Sequence, residues 1–270
     1  MILLEMLSYP FLVRAFLVGV LVSLCAALLG TSLVLKRYSM IGDGLSHVGF
    51  GALAIASALG VAPLAVAVPV VVVAAVLLLR VSQSGRVRGD AAIALISSGA
   101  LAVGVLVISL TSGVNTNVSN YMFGSILTIS GSDAVLSVIL CAAVLVVFTL
   151  FYPRIFAVTF DETFACATGT KAEGYNMLLA ILTAITVVLG MRMMGALLIS
   201  SLIIFPALSA MRVFRSFRSV TVCSAVLSVV CFTLGMTLSY ALETPSGASV
   251  VAVNIIAFAL FALAGRLLRR

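Results

Sequence analysis

The sequence predicts an all-α integral membrane protein, a polytopic bundle of about eight or nine transmembrane helices. Of the 270 residues, 63% are hydrophobic and only 9% are Asp, Glu, Lys or Arg. A soluble domain needs about 25% charged residues because its surface faces water, so the composition excludes a soluble globular protein. No charged tail or low-complexity linker divides the chain, and we predict one transmembrane domain over residues 1–270.

Charged residues mark the ends of the predicted helices, since about 20 successive apolar residues are needed to cross the hydrocarbon core. The stretch 44–79 contains one ionisable residue, His47, and is long enough for two short spans divided near Gly60 and Pro63. The stretch 91–132 holds one span, a polar turn and an interfacial segment. The predicted spans are 11–35, 42–59, 62–79, 91–111, 133–152, 174–190, 194–211, 219–241 and 248–265.

The distribution of Lys and Arg predicts the orientation, because loops rich in these residues stay in the cytoplasm. Of the 15 Lys and Arg residues, all but Arg14 and Arg192 lie on one predicted side of the membrane. This side is the cytoplasm, which places the C-terminus inside and, with nine spans, the N-terminus outside. The net charge of +7 is this topological bias and does not indicate nucleic-acid binding.

Ionisable groups are concentrated in one segment, Gly42-Asp43-Gly44-Leu45-Ser46-His47, at the start of the second predicted span. His47 is the only histidine of the chain, and Asp43 lies four residues before it. On a helix the two side chains therefore project from one face, one turn apart. A carboxylate oxygen and an imidazole nitrogen suit Zn²⁺, Mn²⁺ or Fe²⁺. Because ionisable groups inside hydrocarbon mark transport pathways, the segment predicts a divalent-metal site.

The residues alone leave two alternatives to a metal site at Asp43 and His47. The carboxylate could neutralise the imidazole as a structural pair inside the bundle. Both groups could also lie at the membrane surface, since Lys36 and Arg37 are close by. Two ligands make an incomplete site, and a symmetric homodimer would supply four.

Five short segments carry further motifs, KRYSMIGDGLSH at 36–47, YMFGSIL at 121–127, FDETFACATG at 160–169, GALLISSLIIFPA at 195–207 and TPSG at 244–247. In this order and spacing they resemble the permease family of bacterial zinc, manganese and iron ABC importers, with wording closest to the zinc branch. One departure is that some zinc permeases carry further histidines in the span corresponding to 91–111, which has none here.

The resemblance implies an ABC importer permease fold, several spans in the bacterial cell membrane and no enzymatic activity of the chain itself. It implies that Asp43 and His47 handle a transported zinc or manganese ion, with no permanently bound cofactor. The implied partners are cytoplasmic ABC ATPase subunits, an extracytoplasmic metal-binding protein, membrane lipid and a second copy in a homodimer.

A charged loop at the predicted cytoplasmic side matches the family's ATPase-coupling element, which maps here to Phe160, Asp161, Phe164, Ala165 and Gly169. Phe160, Phe164 and Thr168 recur every four residues, which predicts one short amphipathic helix with an apolar stripe suited to a partner's groove. Ala165 and Gly169 would allow the partner to approach closely. A helix lying on lipid headgroups is the alternative.

The span 194–211 contains Pro206, which removes an amide donor and predicts a kink. Ser200 and Ser201 are candidates to line the transport pathway. The alternative is that their hydroxyls bond back to the carbonyls of Ala196 and Leu197 within the helix.

The chain has no energy source of its own. The phosphate-binding motif GxxxxGK[ST] is absent, and Asp133 and Glu243 stand at span ends instead of forming an intramembrane chain of carboxylates. A pump would therefore need ATP hydrolysis by another subunit. An ATP-independent secondary metal carrier or channel is the alternative function and would need inverted repeats or an ion-coupling site. A membrane scaffold and a cobalamin or siderophore permease are further alternatives.

Overall fold

The computed structural model of the chain describes residues 9–83, 89–111 and 131–267. Within these residues it contains eleven α-helices and no β-strand, which confirms the all-α fold class. The helices are α1 (Pro10–Leu35), α2 (Ile41–Ala58), α3 (Pro63–Gln83), α4 (Gly89–Leu110), α5 (Gly131–Leu150), α6 (Tyr152–Phe160), α7 (Glu162–Ala167), α8 (Ala172–Met194), α9 (Ala196–Val213), α10 (Phe217–Leu242) and α11 (Ser246–Leu267).

The long helices lie over the predicted spans, and α6 and α7 form the loop between α5 and α8. In the described part of the chain, eight helices are long and apolar enough to cross a membrane. Helix α2 is not among them, because its 18 residues include Asp43 and His47. The segment predicted to be interfacial, with the motif at 121–127, lies outside the described residues, as do Arg269 and Arg270. The orientation stays a prediction.

Helix α1 lies at the centre of the bundle, where it packs against α5, α8, α9 and α10. Small residues let neighbouring backbones approach closely, the usual way that membrane helices pack. A Cβ atom at Gly30 would collide with the carbonyl oxygen of Ile203 in α9. Hydroxyl groups reinforce the contact with α10, since Ser228 Oγ donates to the Ser23 carbonyl oxygen at 2.9 Å. Around this centre, α2 packs between α3 and α4 and also contacts α8 and α9.

The turn between α8 and α9 is one residue long and lies inside the bundle. Gly195 forms it with φ of 90°, a conformation that favours glycine. Met194 contacts the position of Gly19 in α1, and Met191 contacts that of Gly49 in α2. Gly19 is nine residues from the start of α1, which is about 14 Å at a rise of ~1.5 Å per residue. Helix α9 therefore begins well inside the ends of the longer helices.

Helix α8 is longer than the predicted span 174–190 and continues through Arg192 to Met194. The charge does not end the helix, because the Arg192 guanidinium pairs with the Asp133 carboxylate at 2.6 Å. Both side chains are only about one-fifth exposed, at 21% and 20%. The pair joins α8 to the first turn of α5. Arg192, which the sequence suggested as the end of a span, is therefore part of the packing between two helices.

Candidate functional site

Asp43 and His47 lie on one face of α2, as their spacing predicts. Asp43 is in the first turn of the helix, which begins at Ile41. The distance from His47 Nε2 to Asp43 Oδ2 is 3.8 Å, longer than a hydrogen bond. The side chains are 23% and 44% exposed, respectively. The two groups thus share a partly open face without a direct hydrogen bond between these atoms, and both can turn toward a common ion.

The hydroxyl of Ser200 in α9 is the third polar group at this face. Ser200 Oγ lies 3.3 Å from Asp43 Oδ1 and 3.2 Å from the Ala196 carbonyl oxygen. A serine hydroxyl carries one proton, so it donates to only one of these acceptors at a time. When the proton points to the Ala196 carbonyl oxygen, the lone pairs of Ser200 Oγ are free to coordinate a cation held beside the Asp43 carboxylate.

Ser201 does not reach the pair. Its side chain is buried, and Ser201 Oγ donates to the Leu198 carbonyl oxygen at 3.0 Å within α9. Of the two serines predicted to line the pathway, the structure brings only Ser200 to Asp43. Ser201 follows the alternative, a bond back to the helix, although the acceptor is three residues away and not four.

The donor set of one chain is small. Among residues 9–83, 89–111 and 131–267, no three His, Cys, Asp or Glu side chains lie close enough together to hold one metal ion. One chain therefore offers an imidazole, a carboxylate and a hydroxyl. The set contains no thiolate, the ligand that characterises many tight structural zinc sites.

The loop predicted to couple to an ATPase consists of two helices instead of one. Helix α6 ends at Phe160, and Asp161 adopts an extended conformation before α7 starts. Asp161 caps α7 by accepting a hydrogen bond from the Phe164 N–H at 2.9 Å. The single amphipathic helix predicted from Phe160, Phe164 and Thr168 is therefore wrong, because aspartate prefers the N-cap position and starts a new helix there.

Exposure separates the predicted coupling residues into two groups. Phe160 and Phe164 are 60% and 64% exposed as residues, and Gly169 is a left-handed, open position with φ of 84°. Ala165 is fully buried against Val158 and Ala172. The prediction that Ala165 lets a partner approach is corrected, because this methyl group is covered by residues of the same chain.

A polar cluster with one exposed member, Glu162, connects α7 to the α1–α2 turn. Lys36 Nζ pairs with Glu162 Oε2 at 3.3 Å and donates to Asn176 Oδ1 at 2.5 Å. Asn176 Nδ2 donates to Glu162 Oε1 at 3.0 Å, which closes the triangle. The Lys36 side chain is 9% exposed. Burial lowers the pKa of the Lys36 ammonium, and the Glu162 carboxylate opposes that shift.

The profile of the ABC 3 transport family matches residues 8–265 of the chain. The chain belongs to this family. It is 28% identical over 260 residues to the manganese transport system membrane protein MntC of Halalkalibacterium halodurans, covering 96% of the chain and 88% of that protein. It is 29% identical over 252 residues to the high-affinity zinc uptake system membrane protein ZnuB of Haemophilus influenzae, covering 93% and 97%.

A solved structure agrees with this assignment. The ABC 3 chain is similar to a chain of PsaBC from Streptococcus pneumoniae in complex with Fab, with a TM-score of 0.85 and 25% identity. The similarity covers 96% of the ABC 3 chain and 95% of the solved one. The resemblance to metal-importer permeases and the ABC importer permease fold class are both confirmed.

Two charged contacts of the ABC 3 chain were missed from its sequence. One feature of the sequence could have indicated the ion pair of Arg192 with Asp133: both residues lie near ends of predicted spans on the same side of the membrane. The Lys36 cluster had no local signal, since Glu162 and Asn176 are 126 and 140 residues away along the chain.

Proposed function

We propose that the chain is the membrane permease of an ATP-driven importer for a divalent metal ion, zinc in the first place and manganese in the alternative. The observation that carries the proposal is the open face of α2, where Asp43 and His47 lie beside Ser200. Family membership supports it, and relatives named for manganese and for zinc transport both match nearly the whole chain. The metal ion is the substrate, and no permanently bound cofactor is proposed.

The donor set suits transient binding of such an ion. A structural zinc site binds with roughly 10–16 kcal/mol, which would hold the ion too long for transport. The imidazole of His47 favours zinc, whereas the oxygen atoms of Asp43 and Ser200 favour manganese. A site with these few ligands and some remaining water would release either ion, and a separate binding protein outside the cell would supply most of the selectivity.

We place the site at the interface of a homodimer. A carboxylate whose side chain is 44% exposed is costly against lipid, so this face of α2 must meet water or protein. Exposed apolar side chains lie near the pair in sequence and along α9, with Met40 at 50% and Leu197 at 41% exposure. A second copy would cover these apolar groups and supply a second Asp43 and His47, completing four ligands at the symmetry axis.

ATP hydrolysis belongs to a partner in this proposal, and the chain itself is not an enzyme. The exposed rings of Phe160 and Phe164 would enter a groove of a cytoplasmic ABC ATPase, while Asp161 and Gly169 set the shape of the segment. The chain would lie in the bacterial cell membrane with its C-terminus in the cytoplasm. Lys36, at the end of α1, contacts the same segment, as positive-inside orientation requires.

Uptake with competing ions tests the function. Cells that carry the permease with its partner ATPase and binding protein should accumulate radioactive zinc, and excess unlabelled zinc should compete better than manganese. Depleting ATP, or inactivating the phosphate-binding lysine of the ATPase, should stop accumulation. Uptake that continues without ATP hydrolysis would instead establish the ATP-independent carrier or channel, and equal uptake with and without the permease would exclude metal transport.

A further inference from the structure

The buried ammonium of Lys36 lies between the two segments that an importer must connect. On one side it contacts Glu162, the first residue of α7, the helix that also carries the exposed Phe164 ring. On the other side its own backbone is the C-cap of α1 and leads into the turn before α2. Asp43 follows seven residues later.

The turn from α1 to α2 is held by backbone hydrogen bonds along its length. The Lys36 N–H donates to the Ser32 carbonyl at 3.0 Å, and the Tyr38 N–H donates to the Leu33 carbonyl at 2.8 Å. The Ile41 N–H then donates to the Tyr38 carbonyl at 3.0 Å, which joins the turn to α2. A chain bonded in this way moves as a unit, so a displacement of Lys36 reaches the first turn of α2.

The α7 side of the contact is less firmly held. Helix α7 has six residues and packs on α6 and α8 through the small cluster of Ala165, Val158 and Ala172. A short helix with few buried apolar contacts is displaced more easily than the long helices of the bundle. The contact with Lys36 is therefore a direct side-chain connection from this displaceable helix to the α1–α2 turn.

The charges add little to stability by themselves. Glu162 is half exposed, and an ion pair with an exposed partner contributes little. Burying the lysine ammonium costs desolvation free energy, and the attraction of its partners compensates this cost without a large net gain in stability. The ammonium also donates to the buried Oδ1 atom of Asn176 in α8, so it joins both α7 and α8 to the α1–α2 turn, a connection that an apolar side chain of similar length would not make.

We propose that Lys36 is a positioning residue that transmits movement of α7 to the metal-site helix α2. The inference rests on the proposed function of α7 as the segment that docks on the ATPase. Breaking the contact should leave the permease folded and bound to the ATPase while separating ATP hydrolysis from ion movement. The charge of Lys36 and its reach to Glu162 are the properties that matter.

The test compares Lys36→Met with a matched control, Lys171→Met, an exposed lysine outside the cluster. Permease, ATPase and binding protein are reconstituted in vesicles, and zinc uptake and ATP hydrolysis are measured together. Lys36→Met should keep its ATPase and its hydrolysis, but zinc moved per ATP should fall about tenfold, as expected when a hydrogen bond to a charged group is lost. Lys171→Met should match the wild type.

A charge exchange distinguishes coupling from stability. The double variant Lys36→Glu with Glu162→Lys should regain much of the lost ratio, because the Asn176 amide can turn to donate to a carboxylate. An unchanged zinc-to-ATP ratio in Lys36→Met overturns the proposal. Parallel loss of membrane abundance, hydrolysis and uptake, without rescue by the exchange, also overturns it and makes Lys36 a structural anchor.

A readout without metal separates this inference from the choice of substrate. In a chain with Cys166→Ser, the exposed Leu59, the C-cap residue of α2, is replaced by cysteine and its labelling rate is measured with and without ATP. ATP should change the rate when Lys36 is present and leave it unchanged in Lys36→Met. If the ATP-dependent change persists in Lys36→Met, the link is wrong; if uptake of zinc and manganese is absent but the change depends on Lys36, only the proposed substrate is wrong.

Discussion

Replacing Asp43 by asparagine removes one negative charge from the candidate site and keeps the shape of the side chain. The variant should fold, because the contact from Ser200 to the carboxylate is long, at 3.3 Å, and the Asp43 side chain is 44% exposed. A hydrogen bond to a charged group contributes about 1.5–3 kcal/mol, and this one contributes less because it is long and close to solvent. We therefore expect a loss of thermal stability too small to lower the amount of protein in the membrane.

The effect on transport should be far larger. Removing a partner that only orients a metal ligand costs about 10–100-fold in metal affinity, and a direct ligand should cost at least the upper value. The initial rate of zinc uptake in Asp43→Asn should thus fall by at least about 100-fold. His47→Ala should behave alike, because it deletes the imidazole ligand. Basal ATP hydrolysis should persist in both variants, since Phe160 and Phe164 are unchanged.

The assay measures initial uptake of radioactive zinc and manganese, normalised to permease in the membrane. The matched control is Asp90→Asn, an exposed carboxylate in the first turn of α4, which should transport normally. A third variant, His47→Asp, keeps a ligand but replaces nitrogen by oxygen, so the preference should move toward manganese. Normal uptake of both ions by Asp43→Asn and His47→Ala would refute the site; a parallel fall in abundance would support a structural pair.

Three further changes test other parts of the structure. Ser200→Ala should lower zinc uptake about tenfold by removing the hydroxyl beside the carboxylate, whereas Ser201→Ala should not change it; equal effects would remove Ser200 from the pathway. Phe164→Asp should abolish co-purification of the ATPase without changing thermal stability, because the ring is exposed; normal co-purification would exclude α7 as the docking segment. Arg192→Met should destabilise the chain by about 1–3 kcal/mol, and adding Asp133→Asn should recover part of this in thermal unfolding; no recovery would mean that the pair is not coupled.

The fold could be predicted from the sequence because membrane helices are local. The hydrocarbon core requires a long apolar stretch for each span, and charges mark most of the limits. Asp43 and His47 share a face for the same local reason, a separation of one helical turn. Arg192 shows where this rule fails, because a charge with a partner on another helix continues a span instead of ending it.

The coupling loop shows a second limit of periodicity. Phe160 and Phe164 are four residues apart, as in one helix, yet Asp161 caps a new helix between them. Asp161 before a short helical segment could have predicted a helix start at this position. The apolar repeat of Phe160 and Phe164 instead favoured one continuous helix. The Lys36 cluster was beyond any such rule, since its residues come together only when α1, α7 and α8 pack.

The position of Asp43 in the first turn of α2 has an electrostatic consequence. The free N–H groups at the start of a helix carry partial positive charge, worth about 0.3–1 kcal/mol to a nearby carboxylate. This field stabilises Asp43 when no cation is present, and it weakens the attraction of the same carboxylate for an arriving divalent ion. The helix end therefore narrows the free-energy difference between the empty and the occupied site, so that an ion held there can also leave.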